Sequence, residues 1–248
     1  MASNTVASER AAAWLKRCRV LSEPAQRAAY LREELLALSP EEAVDTLAEL
    51  AQEAEQRTPE ARKALQAVAL ILGERTADYE WIVAAYAHAD RQDLPRAKAM
   101  LAPLRAQREP DPAQIRPDPV LSEMTLGMRR QVARGRNRDL LDRLALDPDP
   151  GVVRRVLSNS RTTEADVVRI AARRPANAEV LREVFKHRRW QASQRVRIAL
   201  ARNPYTPSEI SMRLLPQLLL KDLRAIAEDS TLHPAICEEA RRLVETRG

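Results

Sequence analysis

The chain has 248 residues, 45% of them hydrophobic, enough for one long domain or two of ordinary size with a genuine core. Aromatics make up only 3%, with Phe185 the single phenylalanine, so the core has to be built from Leu, Ala, Val and Ile packed along helices. Five glycines are too few for the turns of a many-stranded sheet, and many of the 16 prolines stand just before apolar helical runs, which excludes an all-β chain and favours an all-α one.

The formal charge of +6 is spread unevenly. Residues 1–107 carry 14 Lys/Arg against 16 Asp/Glu, a net of −2, and the remainder carries 27 against 19, a net of +8. Whatever the charge does, the second half does it. Only Lys16, Lys63, Lys98, Lys186 and Lys221 are lysines, so the positive charge is nearly all arginine, a bias that GC-rich coding produces without any anionic partner. Nowhere do roughly 18 apolar residues run together, and the N-terminal stretch has no apolar segment ahead of its charges, so the expectation is a cytoplasmic protein with no membrane span. Cys18 and Cys237 lie near opposite ends without a ligand-like spacing, and read as buried or free thiols rather than a disulfide or a metal site.

In chain order, Ser22-Glu23-Pro24 opens a helix containing Leu31, Leu35 and Leu38. Ser39-Pro40-Glu41-Glu42 is a capping box, with Ser at the N-cap, Pro at the first helical position and Glu at the third. Val44, Leu47, Ala48, Ala51 and Ala54 follow on one face. Thr58-Pro59-Glu60 starts the next helix, through Leu65, Val68, Ala69 and Leu72, and a further one carries Tyr79, Ile82, Val83 and Tyr86. Short connections force neighbouring helices antiparallel, so residues 6–107 read as about three helical hairpins. Trp81, Tyr79 and Tyr86 at helical spacing read as core rather than as a ligand groove. The hairpins have some tetratricopeptide character around Tyr86 to Pro103, although the repeat cannot be traced twice. Residues 108–119, REPDPAQIRPDP, are proline-rich, charged and nearly free of apolar side chains. They read as a stiff linker between an N-terminal hairpin domain, 1–107, and a C-terminal helical array, 120–248.

The array shows itself in a pattern that returns after 44 residues: Val152 matches Val196, Val156 matches Leu200, Asn159 matches Asn203, Thr162 matches Thr206 and Ile170 matches Leu214. A further shift of 26 residues puts Ile226 at the Leu200 position, Asp229 at Asn203 and Ile236 at Ile210. Asp149 caps a helix with Pro150 in its first turn, Thr163 caps the next with Asp166 at its third position, and Thr206-Pro207-Ser208-Glu209 promises a full capping box. Units this small cannot bury an apolar face alone, so stacking must supply the core. The phrases LALDPDP, LSNSRTT and LARNPYTP resemble the leucine-rich-repeat variant family, an α-solenoid relative of HEAT and armadillo arrays, over roughly residues 138–246. The resemblance implies an α-solenoid of short HEAT-like units. The founding member of that family also carries a cysteine-ligated iron–sulfur cluster in a separate segment. Two remote cysteines cannot reproduce it, and no cofactor or metal is expected.

Catalytic motifs are missing: there is no Gly-rich phosphate loop, no HExxH, no GxSxG, and His88, His187 and His233 are scattered. A non-enzymatic protein is the expectation. Two basic clusters remain. The first holds Arg129, Arg130, Arg134, Arg136 and Arg138 with no acid among them, and the second runs through Lys186, Arg188, Arg189, Trp190, Arg195, Arg197 and Arg202 without an intervening carboxylate. Such clusters serve as solvated helix edges, with Trp190 plugging a gap between helices, pair with carboxylates on an acidic protein partner, or bind DNA or RNA through phosphates with an aromatic for stacking. Few lysines and no aromatic ladder weigh against a dedicated nucleic-acid binder. The leading expectation is a scaffold or adaptor that presents an arginine-rich surface to a protein, and the alternative is a sequence-independent DNA- or RNA-binding solenoid.

Overall fold

The computed structural model describes residues 2–55, 58–73, 79–101, 106–111 and 118–247, and among them there is helix and no strand. Half of the expected linker, residues 112–117, lies outside the described residues. The chain divides into two compact units. Unit 1 is Met1–Leu104 with Glu209–Asp229 and Pro234–Gly248, and unit 2 is Arg105–Ser208 with Ser230–His233.

Unit 1 opens with α1 (Ala2–Val20), α2 (Pro24–Leu36), α3 (Pro40–Glu55), α4 (Pro59–Gly73), α5 (Tyr79–Arg91) and α6 (Pro95–Leu101). The capping box at α3 forms as the spacing predicts: Ser39 N–H donates to Glu42 Oε2 at 3.2 Å and Glu42 N–H donates to Ser39 Oγ at 3.3 Å. At α4 the helix begins at Pro59, but Thr58 Oγ1 donates back to Glu53 O at 2.8 Å instead of accepting from the new helix. Alternate helices stack, α1 on α3, α3 on α5, and α2 on α4, while α3 also packs on its neighbour α4. The apolar stripe of α3 makes this possible: Ala43, Val44, Leu47, Leu50 and Ala54 are fully buried, and each Leu contributes about 1.5–3 kcal/mol by leaving water. On α5 the fully buried residues are Ala85 and Ala89, while Val83 points to solvent; the small residues let α5 approach α3 closely. Trp81 is partly buried and its indole N–H reaches Leu38 O at 3.5 Å, so it packs against the core, as its helical spacing predicts.

The rest of unit 1 comes from beyond residue 208. α14 (Ser208–Leu214), a 3-10 turn (Leu215–Gln217), α15 (Leu220–Ala227) and α16 (Pro234–Arg247) follow one another, and the 3-10 turn packs on α3, α4 and α16. Arginines tie this segment in. Arg213 Nε donates to Met100 O at 2.9 Å, while Arg247 braces the segment internally by donating to Leu218 O and Pro216 O. Arg242 joins Glu55 and Glu239, both at 2.8 Å, while Arg96 takes the other oxygen of Glu55 at 2.9 Å. The array expected over 120–248 is therefore divided, because its last helices bury their apolar faces in unit 1. Met100 and Glu55 lie more than a hundred residues from the arginines they meet, where no local pattern exposes them. Cys18 and Cys237 are both buried free thiols.

Unit 2 is the helical repeat. α7 (Pro119–Ser122), α8 (Leu126–Val132), α9 (Arg138–Leu144), α10 (Pro150–Leu157), α11 (Glu164–Ala172), α12 (Ala178–Lys186) and α13 (Gln194–Ala201) are short, and alternate ones again stack: α8 on α10, α10 on α12, and α11 on α13. Each start is chemically marked. Asp118, Thr125, Asn137, Asp149, Thr163, Asn177 and Ser193 all accept a backbone N–H of the first turn, a contribution of about 1 kcal/mol each. Thr163 and Asp166 complete a capping box. The box expected at Thr206 does not form: the helix begins two residues later, at Ser208, and Thr206 Oγ1 is buried without a hydrogen-bond partner.

Candidate functional site

The turns of unit 2 are held by buried side chains with a shared role. Asn159 accepts Arg161 N–H at 2.9 Å and donates to Ala133 O and Gly135 O at the end of α8. Asn203 repeats this at the end of α11. Asp147 makes the same turn by accepting Asp149 N–H at 2.9 Å, but it cannot donate to a carbonyl and receives Arg129 instead, at 3.0 Å. Burial pushes the Asp147 carboxyl up, against the pull of Asp149 N–H and the Arg129 guanidinium.

Many arginines of the two clusters are consumed in this way. Arg129 serves Asp147, and Arg130 lies against Asp149 at 3.2 Å, over Gly151, where a Cβ would stand 2.9 Å from its guanidinium. Arg138 binds Asp142 at 2.9 Å, Asp166, and Arg161 O at 3.2 Å. Burial raises the Asp166 carboxyl, but Arg138 and the two bonds from Thr163 outweigh it and hold it at about 2. Arg195 reaches Glu164 at 3.3 Å, which also accepts Ser193 Oγ at 2.5 Å. The two clusters thus meet at the first turn of α11, whose acids neutralise one arginine from each.

The second cluster is partly interior. Trp190, a candidate for the interaction surface, is only 5% exposed, and its indole N–H donates to Leu157 O at 2.9 Å, in line with the gap-plugging alternative. It fills the interior of unit 2 and offers no face to a base, because burying so large a ring outweighs exposing it for stacking. Arg189 lies over the Trp190 ring at 4.2 Å. Arg197 is half-buried, with Nη2 on Gln194 Oε1 at 3.1 Å, and burial lowers its affinity for protons. Arg202 is exposed at the end of α13, and its carbonyl accepts Arg174.

What remains is a smaller set. Among the described residues, Arg134, Arg136, Lys186 and Arg188 have no carboxylate partner, and all but the half-buried Lys186 are exposed. Arg134 lines an open depression of about 570 Å³ together with Arg154, Arg155, Ser158, Asn159 and Ser160, and no carboxylate lines it. Arg154 is held in a fork by Glu183, at 2.6 and 2.8 Å, and Arg155 Nη1 donates to Gly151 O at 3.0 Å. Ser158 Oγ donates to Arg154 O at 3.0 Å and stands 3.3 Å from His187 Nε2. Burial lowers the His187 pKa, and Arg189 adds to the effect. The His187 Nδ1 atom is buried without a partner, so no third group orients this ring toward Ser158 as nucleophilic catalysis needs.

Arg154, Arg155, Ser158 and Ser160 belong to neither acid-free arginine run of the sequence. The available signal was RRVLSNS, in which Arg154 and Ser158 stand one helical turn apart. Among the described residues no cluster of three or more His, Cys, Asp or Glu has metal-site geometry, and no helix is long and apolar enough to cross a membrane. In comparisons with known proteins the chain matches no family model, no curated protein and no solved structure.

Proposed function

We propose that this protein is a non-enzymatic helical-repeat adaptor, built on leucine-rich-repeat-variant-like units, that binds a protein partner with an acidic surface through the unneutralised arginines of unit 2. One observation carries this reading. The fold neutralises Arg129, Arg130, Arg138 and Arg195 with its own carboxylates, yet leaves Arg134, Arg136 and Arg188 exposed without any among the described residues. Guanidinium groups in that state favour carboxylates or phosphates presented in pairs. Binding of DNA or RNA would draw on the same charges, but with Trp190 buried it loses its stacking group and rests on charge alone.

The test is an affinity capture with the full chain from native extract at about 150 mM salt, where weak surface electrostatics are screened. A partner retained by the wild type and released by the triple variant Arg134→Glu, Arg136→Glu, Arg188→Glu supports the adaptor. Capture that ignores the variant, or a retained fraction consisting of nucleic acid, overturns it.

A further inference from the structure

The depression at the end of α10 differs from the rest of the arginine surface in having unspent donors converging on one space. We infer that it is a binding site for a phosphate monoester carried by a protein partner, a phosphoserine or phosphothreonine side chain; this rests on the adaptor reading and specifies its ligand.

Helix C-termini are ordinarily poor places for an anion, because their exposed carbonyls carry partial negative charge. Here those carbonyls are occupied: Asn159 Nδ2 covers Ala133 O and Gly135 O, and Ser158 covers Arg154 O with both its N–H and its hydroxyl. Capping quenches the repulsion at the floor of the depression and leaves the cations dominant.

The donors around it are not satisfied. Arg134 makes no side-chain hydrogen bond among the described residues, and Arg155 spends only Nη1, on Gly151 O. Ser160 is exposed, with neither its hydroxyl nor its N–H bonded among the described residues. Arg154 is already forked to Glu183, which fixes its guanidinium at the rim and neutralises one charge. Arg134 and Arg155 therefore present two uncompensated positive charges, which match the charge of roughly −1.5 to −2 on a phosphate monoester near neutral pH.

Shape separates phosphate from carboxylate. A carboxylate offers one edge, and a single arginine fork saturates it. Arg134, just beyond α8, and Arg155, on α10, approach from different elements, with Ser160 from the following turn; a tetrahedral group with three terminal oxygens accepts all three directions. The volume, about 570 Å³, also exceeds what a bare anion fills and leaves space for the chain that carries it.

The experiment is fluorescence anisotropy with the full chain and a labelled glycine/serine peptide carrying one phosphoserine. The expected result is saturable binding that weakens on the order of tenfold when the phosphate is omitted and likewise in Arg134→Ala, the size expected for one charge-assisted fork. Arg155→Lys keeps the charge and loses the fork, and is expected to weaken binding as well. Melting curves identical to wild type show that these variants fold. Absence of binding to the phosphopeptide, or binding indifferent to both substitutions, overturns the inference. If a polyglutamate peptide binds and the phosphopeptide does not, the site fails while the adaptor reading stands; if neither binds, both fail. Competition by inorganic phosphate at the concentration of the peptide reassigns the depression to a free anion, and stronger competition by a single-stranded oligonucleotide reassigns it to nucleic acid; either overturns the inference.

Discussion

Asn159 and Asn203 make the same hydrogen bonds at two points of the chain: each accepts the N–H two residues ahead, and each gives its amide to two carbonyls at the end of an earlier helix, Ala133 and Gly135 for the first, Ala171 and Arg173 for the second, at 2.8–2.9 Å. Both are buried, so a change of amide to carboxylate places negative charge against two carbonyl oxygens. Asn159→Asp and Asn203→Asp are each expected to destabilise unit 2 by about 3 kcal/mol or more. Urea denaturation followed through Trp190 fluorescence reads the loss, and midpoints within experimental error of wild type would refute the clamp.

The 44-residue match between these two asparagines was legible in the sequence because their role is local: a buried amide that closes its own turn recurs wherever the turn recurs. Helix starts were legible for the same reason, as Ser39 with Glu42 and Thr163 with Asp166 show. Thr206 misled because the same letters precede a helix that begins at Ser208, leaving the hydroxyl buried and unbonded. Trp190 left two readings open. Its neighbours in sequence are cationic, which suits a surface, and only the fold shows the ring buried with its indole N–H on Leu157 O. The fate of each arginine was hidden likewise, since Arg138 and Asp166, or Arg195 and Glu164, are some thirty residues apart.

Acid sensitivity is expected to centre on Asp166. Its carboxyl is held at about 2 against an ordinary 3.8, so its contribution is fully present above about pH 4 and is lost as pH falls toward 2. Asp166→Asn is expected to flatten the acid limb of the stability profile and to cost about 1–3 kcal/mol at neutral pH. An unchanged acid limb in the variant would show that the Arg138 pair carries no weight.

His187 acts in a higher window. Burial lowers its pKa below the ordinary 6.5, so between the two values the unfolded chain holds a proton that the folded one refuses. Stability of unit 2 is expected to decline as pH drops below about 6.5, and His187→Gln is expected to remove that decline. Thermal melts at pH 7.5, 6.5 and 5.5 give the comparison; parallel curves for variant and wild type would count against it.

Glu55 is the carboxylate on which Arg96 and Arg242 converge, and its side chain is 4% exposed. Glu55→Ala leaves two guanidinium groups without their shared partner and is expected to destabilise unit 1 by about 3–5 kcal/mol. Paired backgrounds that keep only Trp14 or only Trp190 of the three tryptophans report the two units separately. Coincident melting of both tryptophans at the wild-type temperature would show the network to be dispensable.

Glu55 and Arg242 are separated by 187 positions, and Met100 and Arg213 by 113. During synthesis, the first six helices leave the ribosome long before the segment that completes their packing exists, whereas α8 to α13 meet their neighbours within a few tens of residues. Unit 2 is therefore expected to mature first, on the nascent chain, and unit 1 to close only as translation ends. In the interval, the half-built hairpins expose apolar surface and a Glu55 held by Arg96 alone, making the early helices the natural clients of a chaperone.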